Sequence, residues 1–525
     1  MGDIYASVGT RQTPQSEQAD PRQVKNNAGG FTFEVDDLAR AKRFLILGSD
    51  AGTYYQQARE LTIENAGIIQ KLALSRHRDL VDLIVDVSSR GLAPRQQPAL
   101  FALAIAASVE DPDARKYALD KLALVARTAS TLFTFTKYVQ NFRGWSRGMR
   151  SAFSRWYIGQ DVDRLAYQMV KYRSRDGWTH NDLLRRAHPS SAEPARRALF
   201  EWAKSGNAEG TPAIVEGFIK AQEQGADHAA LIEQYRLPWE ALPDEALTKA
   251  STWQALLDNQ ALPVGAVVRQ LGRLTRLGVL DQMRSDYADV VAGMLTSTDT
   301  LKRARMHPLQ LLVALKTYAQ GRGVRGSETW TPVSSIIDAL DAGFYAAFGA
   351  VEPAGKRTMF AVDVSGSMGM FSDPSGILTA REVSAAMALV GMATEPGSSV
   401  FGFSHDFRPL DISPRRRLDD AIRTISNLPF GHTDCALPMV EALRHGWEVD
   451  TFVIITDNET WHGAIHPHQA LQQYRRVTGI DAKLIVMAVT ATPFTIADPS
   501  DAGMLDVVGF GTDVPQLVTE FSRGI

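Results

Sequence analysis

The sequence predicts a multidomain protein: a long all-α part made of helical repeats, followed by an α/β part with a doubly wound parallel sheet. Between residues 35 and 348 apolar residues recur at helical spacing, as in Ile68, Ile69 and Leu72. After residue 356, short apolar runs bounded by turns alternate with helical patterns, which is typical of parallel βαβ units. The chain of 525 residues is long enough for several domains.

The helical part is divided by short breaks that contain Gly or Pro, as at residues 91–94 and 206–212. Helices that stack side by side in this way form a solenoid, although no crisp repeat motif recurs. Residues 1–30 are rich in Gln, Asn, Asp and Gly, and we expect a mostly disordered tail there. The domains are therefore expected at residues 31–350 (helical) and 357–525 (α/β).

Four runs in the α/β part are predicted to be strands. They are continuously apolar, which indicates that both faces of the sheet are covered. The predicted strands span residues 359–364, 399–403, 451–456 and 484–489, and the predicted helices between them span residues 377–392, 419–428 and 467–477.

Composition limits the classes of function. The formal net charge of −3 means that any nucleic-acid site must come from local clustering of cations. The single cysteine, Cys435, excludes an internal disulfide and fits a reducing compartment. The N-terminus has no apolar signal core, and no apolar run reaches the ~18 residues that a membrane span needs, so we expect a cytoplasmic protein.

Two aspartates lie at the carboxyl ends of predicted strands, at the sheet edge where doubly wound folds bind ligands. Asp363 is followed by Ser365 and Ser367, Asp457 follows a later strand, and Thr433 lies in a loop between them. Two carboxylates and three hydroxyls suit Mg²⁺, with Mn²⁺ or Ca²⁺ as alternatives, and an open coordination position could accept a partner's carboxylate. An Asp-x-Ser-x-Ser segment alone is more often a helix cap, but the two additional residues favour a metal site.

Other polar residues near this set are predicted to have structural roles. Asp434 and Glu459 are expected to support the loops, and Cys435 to be a small buried residue. Pro467 interrupts helical pairing of the nearby histidines, so a second metal site is the less favoured interpretation there. These histidines are His462, His466 and His468.

Positive charge is concentrated between residues 137 and 186, which contain eleven basic and four acidic residues and thus carry a net charge of +7. Aromatic residues interleave with the cations, a combination that suits phosphates and unstacked bases. The alternative interpretation is a solvated basic face over core aromatics. The candidate RNA-binding residues are Lys137, Arg143, Arg147, Arg150, Lys171, Arg175 and Arg185.

The spacing within this stretch adds a structural expectation. Arg143, Arg147 and Arg150 follow an i, i+4, i+7 pattern and would share one face of a helix; Lys171 and Arg175 repeat the i, i+4 spacing. Like charges at that spacing repel each other, and phosphate is a plausible counter-charge. A second basic cluster could line the same surface. It comprises Lys302, Arg303, Arg305, His307, Lys316, Arg322 and Arg325.

Several blocks of sequence, in one order over nearly the whole chain, resemble the Ro ribonucleoprotein autoantigen family in its bacterial branch. They lie at residues 48–55, 132–135, 171–185, 352–357, 431–435, 456–460 and 494–499, and include Gly177-Trp178 and Thr456-Asp457-Asn458. The residues of the predicted metal site resemble the metal-ion-dependent adhesion site of von Willebrand A domains. That resemblance implies direct contact of Ser365, Ser367 and Thr433 with the ion, and contact of Asp363 and Asp457 largely through water.

The family resemblance implies a ring of HEAT-like repeats, the TROVE module, closed by the A domain. Such rings bind single-stranded 3′ ends of misfolded noncoding RNA in the central hole and Y RNA on the outside. Carried over by position, Lys171, Arg175 and His188 belong to the RNA-binding surface, and His180 lies in the same block of sequence. The resemblance further implies a monomeric protein in the ribonucleoprotein, linked through Y RNA to the exoribonuclease polynucleotide phosphorylase.

Two other classes of function were weighed. A P-loop enzyme is disfavoured, because residues 321–327 have the glycine spacing but carry Ser327 where lysine is required. Neither His-Glu-x-x-His nor Cys-x-x-Cys occurs, and we expect no catalysis. A metal-dependent protein-interaction scaffold that grips an acidic partner without a direct role in RNA binding is the alternative, and the charge of +7 argues against it as the sole function.

Overall fold

The structure, a computed structural model, describes residues 12–48, 58–283, 286–324, 327–349, 351–369, 377–413, 416–426 and 431–525. A helical N-terminal part is followed by an α/β domain, which confirms the predicted fold class. Residues 1–11 of the predicted tail and Arg325 of the second basic cluster lie outside the described residues.

The helical part begins with a short β-hairpin and contains a second β-hairpin farther along the chain. Strands β1 (Gln23–Lys25) and β2 (Phe31–Glu34) come first, and β3 (Ser174–Arg175) and β4 (Trp178–Thr179) lie in the middle. The helices are α1 (Asp37–Leu47), α2 (Ala58–Ser75), α3 (His77–Arg90), α4 (Gln97–Ala106), α5 (Pro112–Asp120), α6 (Leu122–Val125), α7 (Ala129–Phe142), α8 (Arg147–Ile158), α9 (Val162–Lys171), α10 (His180–Ala187), α11 (Pro194–Ser205), α12 (Ala213–Ala221), α13 (His228–Tyr235), α14 (Ala250–Asp258), α15 (Val264–Arg276), α16 (Asp286–Thr296), α17 (Thr298–Ala304), α18 (Pro308–Ala319) and α19 (Ser334–Ala346).

Local sequence explains where these helices begin and which side they bury. Asp161 begins α9, because its carboxylate accepts the backbone N–H groups of Asp163 and Arg164 and complements the helix dipole. Leu165 and Met169, four residues apart, then lie on the buried side. Neighbouring helices bury such stripes against one another and produce one continuous apolar core.

The two ends of the helical array contact each other. Nε2 of Gln310 in α18 donates to the carbonyl of Pro94 over 3.0 Å, a contact between residues 216 positions apart. Arg305 packs beside Gly91 at the end of α3. The array therefore closes on itself, as a ring requires.

The C-terminal domain has a six-stranded sheet with the order β11-β9-β8-β5-β6-β7. All neighbouring strands are parallel except β7, which is antiparallel to β6. The strands are β5 (Thr358–Asp363), β6 (Ser398–Phe403), β7 (Phe407–Pro409), β8 (Thr451–Thr456), β9 (Lys483–Ala488), β10 (Phe494–Thr495) and β11 (Met504–Val508). The helices are α20 (Ala380–Thr394), α21 (Leu418–Ser426), α22 (Leu437–His445), α23 (Pro467–Thr478) and α24 (Val514–Arg523).

The four predicted strands correspond to β5, β6, β8 and β9, and the structure ends or begins them within a residue of the prediction. The central strands β5 and β8 are buried along their whole length, as continuous apolar runs indicate. The edge strands β7 and β11 were not predicted. They are short or partly exposed, so neither carries a continuous apolar run.

The prediction of a disordered tail is wrong for residues 12–30. Strands β1 and β2 form an antiparallel sheet with β10 of the C-terminal domain. The polar side chains that suggested disorder make buried hydrogen bonds instead: Gln15 is completely buried, and its Nε2 donates to the carbonyl of Ile465 over 2.8 Å. A Cβ on Gly30 would lie 2.0 Å from the carbonyl oxygen of Thr460, so only glycine permits this approach.

A buried arginine joins the helical part to the C-terminal domain. Arg43 of α1 is inaccessible to solvent, and its Nη2 contacts both carboxylate oxygens of Asp506 at 2.7 Å. Its Nη1 donates to the carbonyls of Thr492 and Phe494, also at 2.7 Å. Only arginine has two terminal nitrogens that can serve the carboxylate and the two carbonyls at once.

We expect Arg43→Met to lower the free energy of unfolding by about 3 kcal/mol, because it leaves Asp506 without its cation in a largely buried place. Arg90→Met is the matched control. Arg90 also pairs with an aspartate of the C-terminal domain, Asp513, but is half exposed, so we expect a loss below about 1 kcal/mol. Urea denaturation followed by circular dichroism measures both, and equal losses would contradict the assigned role.

Among the described residues, no helix combines the length and the apolar character that a membrane crossing needs.

Candidate metal centre and nucleic-acid interface

The five predicted metal ligands are all buried at the carboxyl edge of the sheet. Asp363 is the last residue of β5, and Asp457 directly follows β8, the strand paired with β5. In the turn after β5, the hydroxyl oxygens of Ser365 and Ser367 are 3.1 Å apart. The hydroxyl of Ser367 also donates to the carboxylate of Asp457, so the two strand ends share one cluster of oxygens.

The fifth predicted ligand, Thr433, is brought to the same edge by backbone hydrogen bonds. Its carbonyl accepts the N–H groups of Trp461 and His462, each at 3.2 Å. These bonds hold the loop that precedes α22 against the loop that follows β8. The order of strands and loops therefore assembles all five residues at one edge.

The electrostatics of this cluster favour a cation. Burial raises the pKa of the Asp363 carboxyl, and burial together with the charge of Asp363 raises the pKa of Asp457 to about 7. The nearby Arg381 donates from Nη2 to the carbonyls of Val364 at 2.7 Å and Ser365 at 3.0 Å. Two buried carboxylates beside the hydroxyls of Ser365 and Ser367, with Thr433 held at the same edge, fit a hard divalent cation, which would offset the mutual repulsion of the carboxylates.

Four hydrogen bonds in this cluster were not predicted. The hydroxyl of Thr456 donates to Oδ2 of Asp363 over 2.7 Å and orients that carboxylate. Glu459 accepts N–H groups from Asn27 at 2.9 Å and Ala28 at 3.0 Å. Gln15 donates to Asp434 over 2.7 Å. Only Thr456 had a local signal, its place at the end of an apolar strand; the other partners come from a segment more than 400 positions away.

The acids and the cysteine beside the site have the structural roles that the sequence suggested. Burial raises the pKa of Glu459 to about 8 and that of Asp434 to about 6, and each carboxyl is bonded to the N-terminal segment. Cys435 is completely buried, and burial raises the pKa of its thiol. None of these three residues belongs to the five predicted metal ligands.

Two of the three clustered histidines hold the N-terminal segment. The imidazole nitrogens of His466 lie 3.1 Å from Nε2 of Gln23 and 2.8 Å from the carbonyl of Glu17. The ring of His468 packs edge-on against Phe33. Across the described residues, no group of three or more His, Cys, Asp or Glu side chains is arranged to hold a metal ion. The predicted metal site has only two carboxylates and is otherwise built from hydroxyls, so it is not a group of that kind.

Most of the predicted RNA-binding residues are exposed, but they do not form the predicted helical faces. Gly144, with φ of 80°, ends the continuation of α7, and Ser146 caps α8, so Arg143 is not on the same helix as Arg147 and Arg150. Likewise, α9 ends at Lys171, which separates it from Arg175 in β3. The residues with exposed positions are Lys137, Arg143, Arg147, Arg150, Arg175, Arg185 and His188.

The placement of Lys171 does not support its assignment to the RNA surface. Its side chain is only 9% exposed and lies 3.6 Å from the carboxylate of Glu240. The ammonium is also 3.3 Å from the hydroxyl of Tyr167 and lies over the rings of Tyr167 and Tyr172. Lys171 is therefore a packed structural cation, and its sequence spacing from Arg175 was misleading.

His180 is likewise a core residue. Its Nδ1 is 2.9 Å from the hydroxyl of Tyr157, its Nε2 is 3.0 Å from the carbonyl of Tyr172, and its ring packs against Phe133. Burial lowers the pKa of His180 to about 4, so the imidazole is neutral at pH 7. The prediction that His180 contacts RNA is not supported by this position.

The burial of His180 predicts an acid-sensitive contribution to stability. Since its pKa falls from 6.5 in the unfolded chain to about 4, its stabilisation is present above pH 6.5 and decreases as the pH falls toward 4. Up to about 3 kcal/mol is lost over that range. His180→Gln should flatten the dependence of unfolding free energy on pH, whereas the exposed His188→Gln should leave it unchanged. Parallel pH profiles for all three proteins would disprove this.

A basic surface extends from the β3–β4 hairpin along α10. We call it the α10 surface and define it as Arg173, Arg175, Arg185, Arg186 and His188. The guanidinium of Arg186 lies 5.1 Å from the ring centre of Trp178 and 5.7 Å from that of Trp145. Among the described residues no carboxylate lies within ion-pair distance of Arg185 or Arg186, nor of Arg147 or Arg150 on α8. These cations are available to an anionic partner.

The second basic cluster does not form one surface. Arg305 packs beside Gly91 where the helical array closes, and His307 caps α18 and is buried. Lys316 instead contacts the C-terminal domain, with its Nζ 2.6 Å from the carbonyl of Ile377 and 2.5 Å from Glu382. Arg305 and Lys316 thus join parts of the fold, whereas Lys302, Arg303 and Arg322 are exposed.

The fold defines a class: a closed helical-repeat array attached to a von Willebrand A-type domain. The sequence matches the TROVE domain over residues 24–211 and 234–317, and the Ro60 vWA domain over residues 357–522. The chain belongs to the Ro60 family.

Individual relatives agree over nearly full length. The chain is 42% identical to a protein of Deinococcus radiodurans named RNA-binding protein RO60, with 100% of both chains covered. It is 36% identical to the protein of the same name from Caenorhabditis elegans, covering 97% of this chain and 91% of the relative. The crystal structure of the Deinococcus radiodurans RO (RSR) protein matches with a TM-score of 0.71 and 41% identity, covering 93% of this chain and 100% of the other.

Proposed function

We propose that this chain is an RNA-binding protein of ribonucleoprotein particles, and that it binds Y RNA and the single-stranded ends of misfolded noncoding RNAs. The observation that carries the proposal is the α10 surface, where the exposed Arg186 lies beside two tryptophans and, among the described residues, neither Arg185 nor Arg186 has a carboxylate within ion-pair distance. Phosphates would neutralise these charges, and the partly buried rings of Trp145 and Trp178 would stack on unpaired bases with their accessible edges and faces. The names of the relatives, RNA-binding protein RO60, support it.

The action that we propose is quality control or processing of RNA by binding rather than by catalysis. An exoribonuclease, polynucleotide phosphorylase, would be recruited through the bound Y RNA. We place this activity in the cytoplasm, with one protein chain in each particle. The helical domain holds RNA, and a second process must supply cleavage.

The oxygen cluster of the C-terminal domain is proposed to hold Mg²⁺, with Mn²⁺ or Ca²⁺ as alternatives. Ser365, Ser367 and Thr433 would contact the ion, and Asp363 and Asp457 would act largely through water. The bound ion would supply a Lewis-acidic position for a carboxylate of an acidic protein ligand. The burial of two carboxylates beside three hydroxyls supports this second activity.

Cross-linking in the protein's own cells, followed by sequencing of the recovered RNA, tests the main proposal. We expect structured noncoding RNAs and RNAs with unpaired 3′ ends to be enriched over a mock recovery. In vitro, the affinity for these RNAs should fall steeply with salt. If the purified protein does not bind RNA at low ionic strength, the result would instead favour a protein-interaction scaffold without a direct role in RNA binding.

A further inference from the structure

A cleft opens beside the α10 surface, between α9, α10, α11 and α12. Its volume of about 740 Å³ is in the range of ligand-binding clefts, ~300–1,000 Å³. Arg173, Asn181, Trp202 and Phe218 are among the residues that line it. It is therefore a concave site that combines a cation, an amide and two aromatic rings.

The aromatic wall of the cleft is preorganised. The rings of Trp202 and Phe218 lie edge to face with their centres 6.0 Å apart. The guanidinium of Arg173 lies 4.9 Å from the centre of the Phe218 ring. Rings and guanidinium planes held in this way are the surfaces on which proteins stack unpaired bases.

The amide of Asn181 gives the cleft a polar requirement. Its Oδ1 is buried and has no hydrogen-bond partner among the described residues. A buried acceptor left in this state is costly, and it needs an N–H or O–H donor. A phosphate diester cannot supply one, whereas the Watson–Crick edge of a nucleobase can.

The cleft is continuous with the cations of the α10 surface. Asn181, Arg185 and His188 are spaced i, i+4, i+7 along α10 and its C-cap, so they follow one side of the helix. The buried side is occupied by other residues, Leu183, Leu184 and Ala187 among them. A strand whose phosphates contact Arg185 would thus pass the mouth of the cleft.

We propose that this cleft receives a single unpaired nucleobase of the RNA bound along the α10 surface. The base stacks against the wall formed by Arg173, Trp202 and Phe218 and donates a hydrogen bond to Oδ1 of Asn181. This inference rests on the proposed RNA-binding function and adds a base-recognition subsite to it. It makes part of the affinity independent of phosphate contacts.

The test compares two strands of ten nucleotides, one of oligoadenylate and one with the same ribose-phosphate backbone but no bases. We expect Asn181→Leu to weaken oligoadenylate binding by about three- to tenfold, the effect of losing one hydrogen bond. Binding of the abasic strand and the salt dependence of both should stay unchanged. Asn141→Leu, an exposed substitution near the end of α7, is the matched control and should change neither strand.

A second measurement uses the unaltered protein and does not depend on the variant's folding. Oligoadenylate carrying one 8-azidoadenine should photo-cross-link to peptides of α11 or α12, which contain Trp202 and Phe218. Cross-links only outside the cleft, or an equal effect of Asn181→Leu on both strands, would overturn the base subsite. Wild-type protein that binds neither strand at low salt would overturn the proposed function itself.

Discussion

Asp363→Asn is expected to abolish Mg²⁺ binding and, with it, the stabilisation that the ion gives to the folded protein. A ligand that binds only the native state at 100 times its Kd contributes about 2.7 kcal/mol. In the wild type we therefore expect Mg²⁺ to raise the temperature of unfolding, and in the variant no such increase. The reason is that Asp363 ends the central strand β5 and is bonded to both Ser365 and Thr456, so its charge and its orientation serve the whole cluster.

Titration calorimetry measures ion binding, and thermal unfolding with and without Mg²⁺ measures the linkage. Asp289→Asn, an exposed change in α16 with the same loss of charge, is the control and should retain both effects. RNA affinity should be unaffected, because the α10 surface is in the other domain. Unchanged Mg²⁺ affinity in Asp363→Asn would refute the metal site, and simultaneous loss of RNA affinity would mean that the two domains are coupled.

Neutralising two exposed arginines of the α10 surface, in the variant Arg175→Gln/Arg185→Gln, is expected to reduce RNA affinity strongly at low salt. Each phosphate contact that is lost should also reduce the slope of log affinity against log salt by about one. Both side chains are exposed, so stability should remain within about 0.5 kcal/mol of the wild type. Filter binding of a Y RNA-like stem-loop across a salt series measures both quantities.

The matched control is Arg423→Gln/Arg444→Gln, which removes the same charge from exposed positions of the C-terminal domain. It should leave the salt slope unchanged. Equal losses in both variants would mean that only net charge matters, and this would remove the α10 surface as the binding site. Lys171 is excluded from this variant because its ion pair with Glu240 makes it a stability residue.

The local sequence pattern was sufficient to predict those strands and helices whose buried positions recur regularly along the chain. Strands β5, β8 and β9 are buried at every or nearly every position and are mostly apolar, because helices cover both faces of the sheet. The placement of the two candidate metal-site aspartates could also be predicted, since Asp363 ends such a strand, Asp457 follows another, and parallel strands end at one edge. The edge strand β7 has only three residues and left no such signal.

The candidate RNA-binding residues also differ in whether a local pattern could predict their position. Exposed arginines such as Arg185 follow from a charge excess that the apolar core cannot accept. Lys171 and His180 are also basic residues, but both are packed inside the protein. Glu240 pairs with the ammonium of Lys171, and the hydroxyl of Tyr157 is hydrogen-bonded to the imidazole of His180. Charge counts do not distinguish a cation facing solvent from one paired across a helix interface.

The sequence by itself determined the two-part architecture, the central strands and the position of Asp363 and Asp457 at one edge of the sheet, because each depends on periodic burial or on the place where a strand ends. Tertiary structure alone decided that the N-terminal segment completes the C-terminal domain and that the helical array closes through Gln310 and Pro94. It also decided which cations face solvent. These features depend on contacts between residues hundreds of positions apart, and such contacts leave no local pattern in the chain.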